Sequence, residues 1–177
     1  MIRLFFTGIK HSGKTTFASR TAAYFGLPFK DADDLVKECC RIDNIREYYK
    51  TYGKAEFMRI EYRAVSSYIE SSEDFVLSLG GGASDNEKLL SLIKENGSIV
   101  YLRREEKDML PIILKHGVPA FLDSTDISGS FHRIYEKRDS IYNSVSDLTI
   151  NLGPYKDKDE TEKYIISKLM EAGYGIK

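Results

Sequence analysis

The sequence predicts an α/β fold, a parallel sheet flanked by helices. Short apolar runs alternate with longer amphipathic segments, and a glycine-rich stretch joins the first apolar run to the first amphipathic one. No internal repeat, low-complexity block or long linker interrupts the 177 residues, so a single domain over 1–177 is expected.

Each element follows from its local pattern. The opening apolar run predicts a strand over 2–7, and a helix over 14–25 follows the glycine-rich turn. A strand over 28–31 leads into a helix over 33–40. The helix over 54–69 rests on Phe57, Ile60, Ala64 and Tyr68, which recur along one face, with Gly53 before it and Ser71-Ser72 after it. Further strands are expected over 75–79, 98–102 and 148–150, and further helices over 86–95, 105–114, 130–141 and 159–171. No period is evident over 115–129, where Gly117, Pro119 and Gly129 predict a mobile loop.

Composition narrows the function. A net charge of −1 leaves no basic excess for nucleic acid or an anionic membrane. The apolar runs are too short to span a bilayer, and residues 1–6 lack the features of a secretory signal. Cys39 and Cys40 are neighbours, a spacing that suits neither an unstrained disulfide nor zinc. Free thiols and a cytoplasmic location are expected.

The chemistry is concentrated in Gly8-Ile9-Lys10-His11-Ser12-Gly13-Lys14-Thr15, which fits the P-loop pattern G-x-x-x-x-G-K-[ST] between a strand and a helix. Glycines let backbone N–H groups wrap phosphates, and the helix start adds its own unpaired amides and positive dipole end. Gly8, Ser12, Gly13, Lys14, Thr15 and Thr16 are the candidate ATP contacts. Lys14 would reach the β- and γ-phosphates, and the Thr15 hydroxyl would bind Mg2+. His11 reads as a solvated spacer. The strand over 75–79 runs into Gly80-Gly81-Gly82 without a carboxylate, and no guanine-reading Asn-Lys-x-Asp is present. Hydrolysis and GTP switching lose ground to transfer onto a bound hydroxyl. The acidic group lies instead in Asp31-Ala32-Asp33-Asp34, where Asp33 or Asp34 would otherwise serve only to cap the next helix.

The P-loop, Asp31-Ala32-Asp33, the segment from Phe57 to Glu61, Leu79-Gly80-Gly81-Gly82-Ala83 and Lys137-Arg138-x-x-x-Tyr142 occur in an order and spacing that resemble the shikimate kinases, over roughly residues 2–170. The resemblance implies a three-layer P-loop kinase fold with a five-stranded parallel sheet in the order 2-3-1-4-5. It also implies transfer of the ATP γ-phosphate to the 3-hydroxyl of shikimate, with Mg2+, by a monomer. Within that frame, Asp31 resembles the residue that holds magnesium-bound water. Asp33 resembles the group that meets the substrate hydroxyl, with Gly80, Gly81 and Gly82 as the substrate's backbone platform. A substrate-binding helical segment over about 33–70 and a lid over about 112–130 follow from the same likeness, and the 157–160 turn borders the adenine.

The sequence departs from the family on the acceptor side. Of three arginines that grip the carboxylate, the first is replaced by Met58, which shares a helix face with Glu61, and the lid arginine is absent. Arg138 remains. Arg59 is one helical step of about 100° away from Met58, which favours a surface pair with Glu56, and Lys115 would replace part of the charge but not the bidentate fork. Met58, Glu61 and Arg138 therefore join Asp33 and the three glycines as candidate substrate residues. Two alternatives stay open: a kinase of another small polyol or hydroxy metabolite, or a nucleotide-binding regulatory module with weak or no catalysis.

Overall fold

The structure, a computed structural model, describes residues 1–115 and 122–175. Five strands, β1 (Arg3–Thr7), β2 (Phe29–Asp31), β3 (Phe75–Ser78), β4 (Ser98–Arg103) and β5 (Leu148–Asn151), form one sheet in the order β2-β3-β1-β4-β5. All pairings are parallel. This is the order that the resemblance implies. The helices are α1 (Lys14–Phe25), α2 (Ala32–Cys40), α3 (Ile45–Ser71), α4 (Glu87–Asn96), α5 (Glu106–Lys115), α6 (Ile127–Val145) and α7 (Lys158–Glu171), with a 3-10 turn at Ala83–Asp85.

Strand alternation sorts the core into two sides. Leu4, Phe6, Val76 and Val100 pack with Phe17, Ala18 and Ala22 of α1 and Ile165, Ile166 and Leu169 of α7. Phe5, Leu77 and Ile99 face the other way, toward Leu35 and Val36 of α2, Ile60, Ala64 and Val65 of α3 and Leu89 and Ile93 of α4. Ile60 and Ala64 are buried, with Phe57 and Tyr68 packed against the same cluster, so the face read for α3 is its core face. A third cluster joins Ile9 and Tyr101 to α5 and α6 through Met109, Ile113, Phe131 and Tyr142.

Most elements end within a residue or two of the sequence reading, and α6 runs on to Val145; the starts of α3 and α6 and the cap of α2 differ for identifiable reasons. Helix α3 begins at Ile45, capped by Asn44 Oδ1, which accepts from the Glu47 N–H at 3.2 Å. Gly53, at φ 80° and ψ 178°, interrupts it where the shorter helix was expected to start. Helix α6 begins at Ile127 because Asp126 caps it through the Gly129 N–H, so the expected loop ends before Gly129. The cap of α2 is Asp31, not Asp33 or Asp34: Asp31 Oδ1 accepts from the Asp33 N–H at 3.0 Å, and Asp34 pairs with Lys37. Of the expected loop and lid, residues 116–121 lie outside the described residues.

Candidate active site

In a parallel sheet the carboxyl ends of all strands reach one edge, and the chain segments leaving β1, β2 and β3 there carry the candidate residues. From β1 the chain turns through residues 8–13, closed by a Ser12 N–H to Ile9 carbonyl bond of 3.0 Å. A Cβ on Gly8 would lie 2.5 Å from Ser12 Oγ and 3.0 Å from the Leu102 carbonyl oxygen. Gly13 adopts φ 94° and offers α1 no side-chain cap, so the first-turn amides remain for a ligand. Ser12 Oγ is buried and has no hydrogen-bond partner among the described residues.

Lys14 sits in the charge centre of this edge. Burial lowers the pKa of its ammonium, opposed by the negative charges of Asp31 and Asp33, while Arg138 and Lys10 add to the lowering. A cation so surrounded gains when an anion arrives beside it. Thr16 is exposed in the first turn of α1, next to Thr15.

The pairing of β2 with β3 sets Asp31 beside Ser78. The Thr15 hydroxyl donates to Asp31 Oδ2 at 3.0 Å and shares a hydrogen bond with Ser78 Oγ at 3.1 Å. An all-oxygen set of two hydroxyls and a carboxylate fits a hard divalent cation that keeps several waters, as Mg2+ does. Ser78 joins this candidate set through Thr15, and the sequence reading missed it. A serine in an apolar strand carries no signal until its register with Asp31 is known.

The turn after β3 brings the remaining candidate residues against this loop. A Cβ on Gly80 would lie 3.4 Å from Glu61 Oε1 and 3.5 Å from Asp33 Oδ1. One on Gly81 would meet the Lys10 backbone nitrogen at 3.4 Å, and one on Gly82 the Arg138 Nη2 at 3.9 Å. The three glycines thus gather Asp33, Glu61, the phosphate loop and Arg138 around one bare stretch of main chain. The turn is fixed by Tyr142, whose hydroxyl accepts from the Ser84 N–H at 3.2 Å and donates to the Gly81 carbonyl at 3.4 Å. It is also fixed by Asp85, bridged to Lys54 of α3 at 2.7 Å and Lys137 of α6 at 2.9 Å.

Two carboxyls in this pocket are perturbed. Burial, then the neighbouring charge of Asp31, raises the Asp33 pKa, with Lys14 pulling it back. Glu61 is 3% exposed, and burial pushes its pKa up to about 7 against the hydrogen bond from Asn86, with Asp33 adding to the rise. Asn86 Nδ2, also unforeseen, donates to Glu61 Oε2 at 2.9 Å and to the Met58 carbonyl at 3.0 Å. No cation among the described residues pairs with Glu61. Arg59 does not turn inward: it is held on the surface by Glu56 at 2.6 Å. Lys115 is exposed at the end of α5.

Residues 10–172 match the family model for shikimate kinase. The shikimate kinase of Bartonella quintana (strain Toulouse) is 30% identical over 158 residues, 89% of this chain and 73% of that protein. That of Chloroherpeton thalassium is 30% identical over 156 residues, 83% of this chain and 82% of its own. In fold, the chain resembles the shikimate kinase from Bacteroides thetaiotaomicron, with a TM-score of 0.82 at 22% identity over 96% of this chain and 97% of that one. The shikimate kinase from Acinetobacter baumannii, solved in complex with shikimate, aligns with a TM-score of 0.81 at 20% identity over 100% of this chain and 96% of that one.

Proposed function

The chain belongs to the shikimate kinase family, and from that premise we propose that it moves the γ-phosphate of ATP to a hydroxyl of shikimate, forming shikimate 3-phosphate. The observation that carries this reading is the contact between the two halves of the site. Gly81 abuts the Lys10 backbone of the phosphate loop while Gly80, one residue away, lies against Asp33 and Glu61. An acceptor resting on the glycines is thereby set beside the end of a triphosphate held by the loop.

The chain's own groups divide the work. Gly8, Gly13 and the first turn of α1 present backbone amides to the phosphates, with Ser12, Thr15 and Thr16 alongside and Lys14 neutralising charge on the transferring group. Thr15 and Asp31, supported by Ser78, would hold Mg2+, which when bound offsets charge on the β- and γ-phosphates. Asp33 orients the acceptor hydroxyl and accepts its proton. A carboxylate whose pKa is raised by burial and Asp31 is the stronger base for that step. Arg138 receives the substrate carboxylate. The helical segment over 33–70 forms the acceptor wall, and 112–130 serves as the lid.

The reading requires neither nucleic acid, membrane nor a second chain, and we take the working unit to be a cytoplasmic monomer. None of the described helices is long and apolar enough to cross a membrane.

A coupled assay of ADP release with ATP, Mg2+ and millimolar shikimate tests the proposal. Turnover is expected, and its absence above background removes it. A second reading, a less acidic hydroxy compound as acceptor, is favoured by Met58 beside a Glu61 that has no cationic partner among the described residues. A panel of hydroxylated metabolites decides between them, and acceptance of shikimate alone defeats the second.

A further inference from the structure

Behind the phosphate loop lies a group of residues that the reaction scheme does not use. Arg104, the residue after β4, is 3% exposed. Its Nε donates to the Ser12 carbonyl at 3.2 Å and its Nη1 to the Gly153 carbonyl at 2.7 Å. Its own carbonyl accepts from the Tyr135 hydroxyl at 2.8 Å. The Tyr155 ring covers the guanidinium, with 4.0 Å from Cζ to the ring centroid, and the Tyr155 hydroxyl donates to the His11 carbonyl at 2.7 Å. Two consecutive carbonyls of the phosphate loop are thus held by two side chains that touch each other.

The planarity of the peptide gives these bonds a consequence. In a trans peptide the carbonyl and the following N–H point in opposite directions. A guanidinium that fixes the Ser12 carbonyl on one side turns the Gly13 N–H to the other. His11, a non-glycine residue at φ 70°, adopts a backbone conformation that L-residues resist. The Tyr155 hydroxyl, on the His11 carbonyl, helps to hold that conformation. A buried guanidinium held by the Ser12 and Gly153 main-chain carbonyls also keeps its positive charge next to the loop.

We propose that Arg104 and Tyr155 are positioning residues for the nucleotide, an external clamp that holds the Ser12 and His11 carbonyls so that the loop's amides are set for phosphate before ATP arrives. The clamp also joins the phosphate loop to the 153–155 turn, so the two move as one body. This inference rests on residues 8–15 being the phosphate site.

The variants Arg104→Met, Arg104→Lys and Tyr155→Phe test it, each first checked by circular dichroism and thermal melting. Loss of a bond from a charged donor predicts that Arg104→Met raises the KM for ATP and weakens ADP binding, measured by calorimetry, about ten- to a hundredfold. Tyr155→Phe, which keeps the ring on the guanidinium and removes only the hydroxyl, predicts about a fivefold effect. The KM for shikimate should change less than about twofold in both, because neither residue faces the acceptor glycines. Arg104→Lys keeps the charge and loses the fork, so it should recover only part of the affinity. Equal rises in both KM values, a melting shift with unchanged ADP affinity, or full recovery by lysine would each overturn the clamp. Lys14→Ala separates the two failures. If it weakens ADP binding and the clamp variants do not, the clamp alone is wrong; if it too leaves binding unchanged, the phosphate-site reading falls with it.

Discussion

The proposed phosphate half and the proposed acceptor half of the candidate site are built from different materials. The phosphate half is main chain, residues 8–15 in one continuous loop, with a few hydroxyls and one lysine. The acceptor half is assembled from Asp33, Glu61, Arg138 and three glycines that four separate segments bring together. A backbone cradle needs glycine where a Cβ would collide or φ is positive, as at Gly8 and Gly13, and elsewhere presents main chain whatever the side chain. A side-chain pocket is rewritten by one substitution. Here Glu61 is buried beside Met58 without a cationic partner among the described residues, while residues 8–15 keep every position of the P-loop pattern.

The contrast is broken most directly by Lys14→Ala. Removing the charge that meets the transferring group should lower phosphotransfer by about 10³-fold or more in single-turnover assays, on the scale of other such losses. A variant with near-normal turnover would mean that the cradle does not hold the triphosphate. Met58→Arg sharpens the other side. It places a guanidinium three residues from Glu61 on the same helix face, and should lower the KM for shikimate about ten- to a hundredfold with the KM for ATP unchanged. A rise in the shikimate KM would favour the less acidic acceptor instead.

The smallest effect is read in stability rather than rate. A carboxyl with a folded pKa near 7 and an ordinary one near 4.5 binds its proton more tightly in the fold. The fold then holds more protons than the unfolded chain between these values, so stability falls as pH rises through that window. The cost is absent below about pH 4.5, is complete above about pH 7, and amounts to roughly 3 kcal/mol. Urea midpoints of the native chain and Glu61→Gln, compared at pH 5 and pH 8, should diverge, the variant losing less stability at the higher pH. Parallel shifts would show that Glu61 is not the group responsible.

The two halves also differed in how legible they were in the sequence. The phosphate loop announces itself because its requirements are contiguous and chemically distinct. The acceptor side emerged only through family resemblance, since nothing local links residue 33 to residue 138. Ser78 and Asn86 were invisible for a related reason: one acts through strand register and the other through a contact across to α3. The sheet order and the core face of α3 followed the reading. The first turns of α3 were missed although Asn44 and Glu47 form a capping signal and Ile45, Tyr48, Tyr49 and Tyr52 recur at helical spacing, because Gly53 was read as the helix start. In α6 the glycine at 129 suggested a loop, whereas its N–H is what Asp126 caps.

The interruption at Gly53 carries one more consequence. In an unbroken helix an added residue rotates everything beyond it by about 100°. Because the backbone at Gly53 leaves the helical geometry, the phase of the downstream turns starts afresh, and Lys54, tied through Asp85 to α6, anchors that start. An insertion ahead of the break is therefore expected to turn Met58 and Glu61 less than one placed behind it, between Lys54 and Phe57.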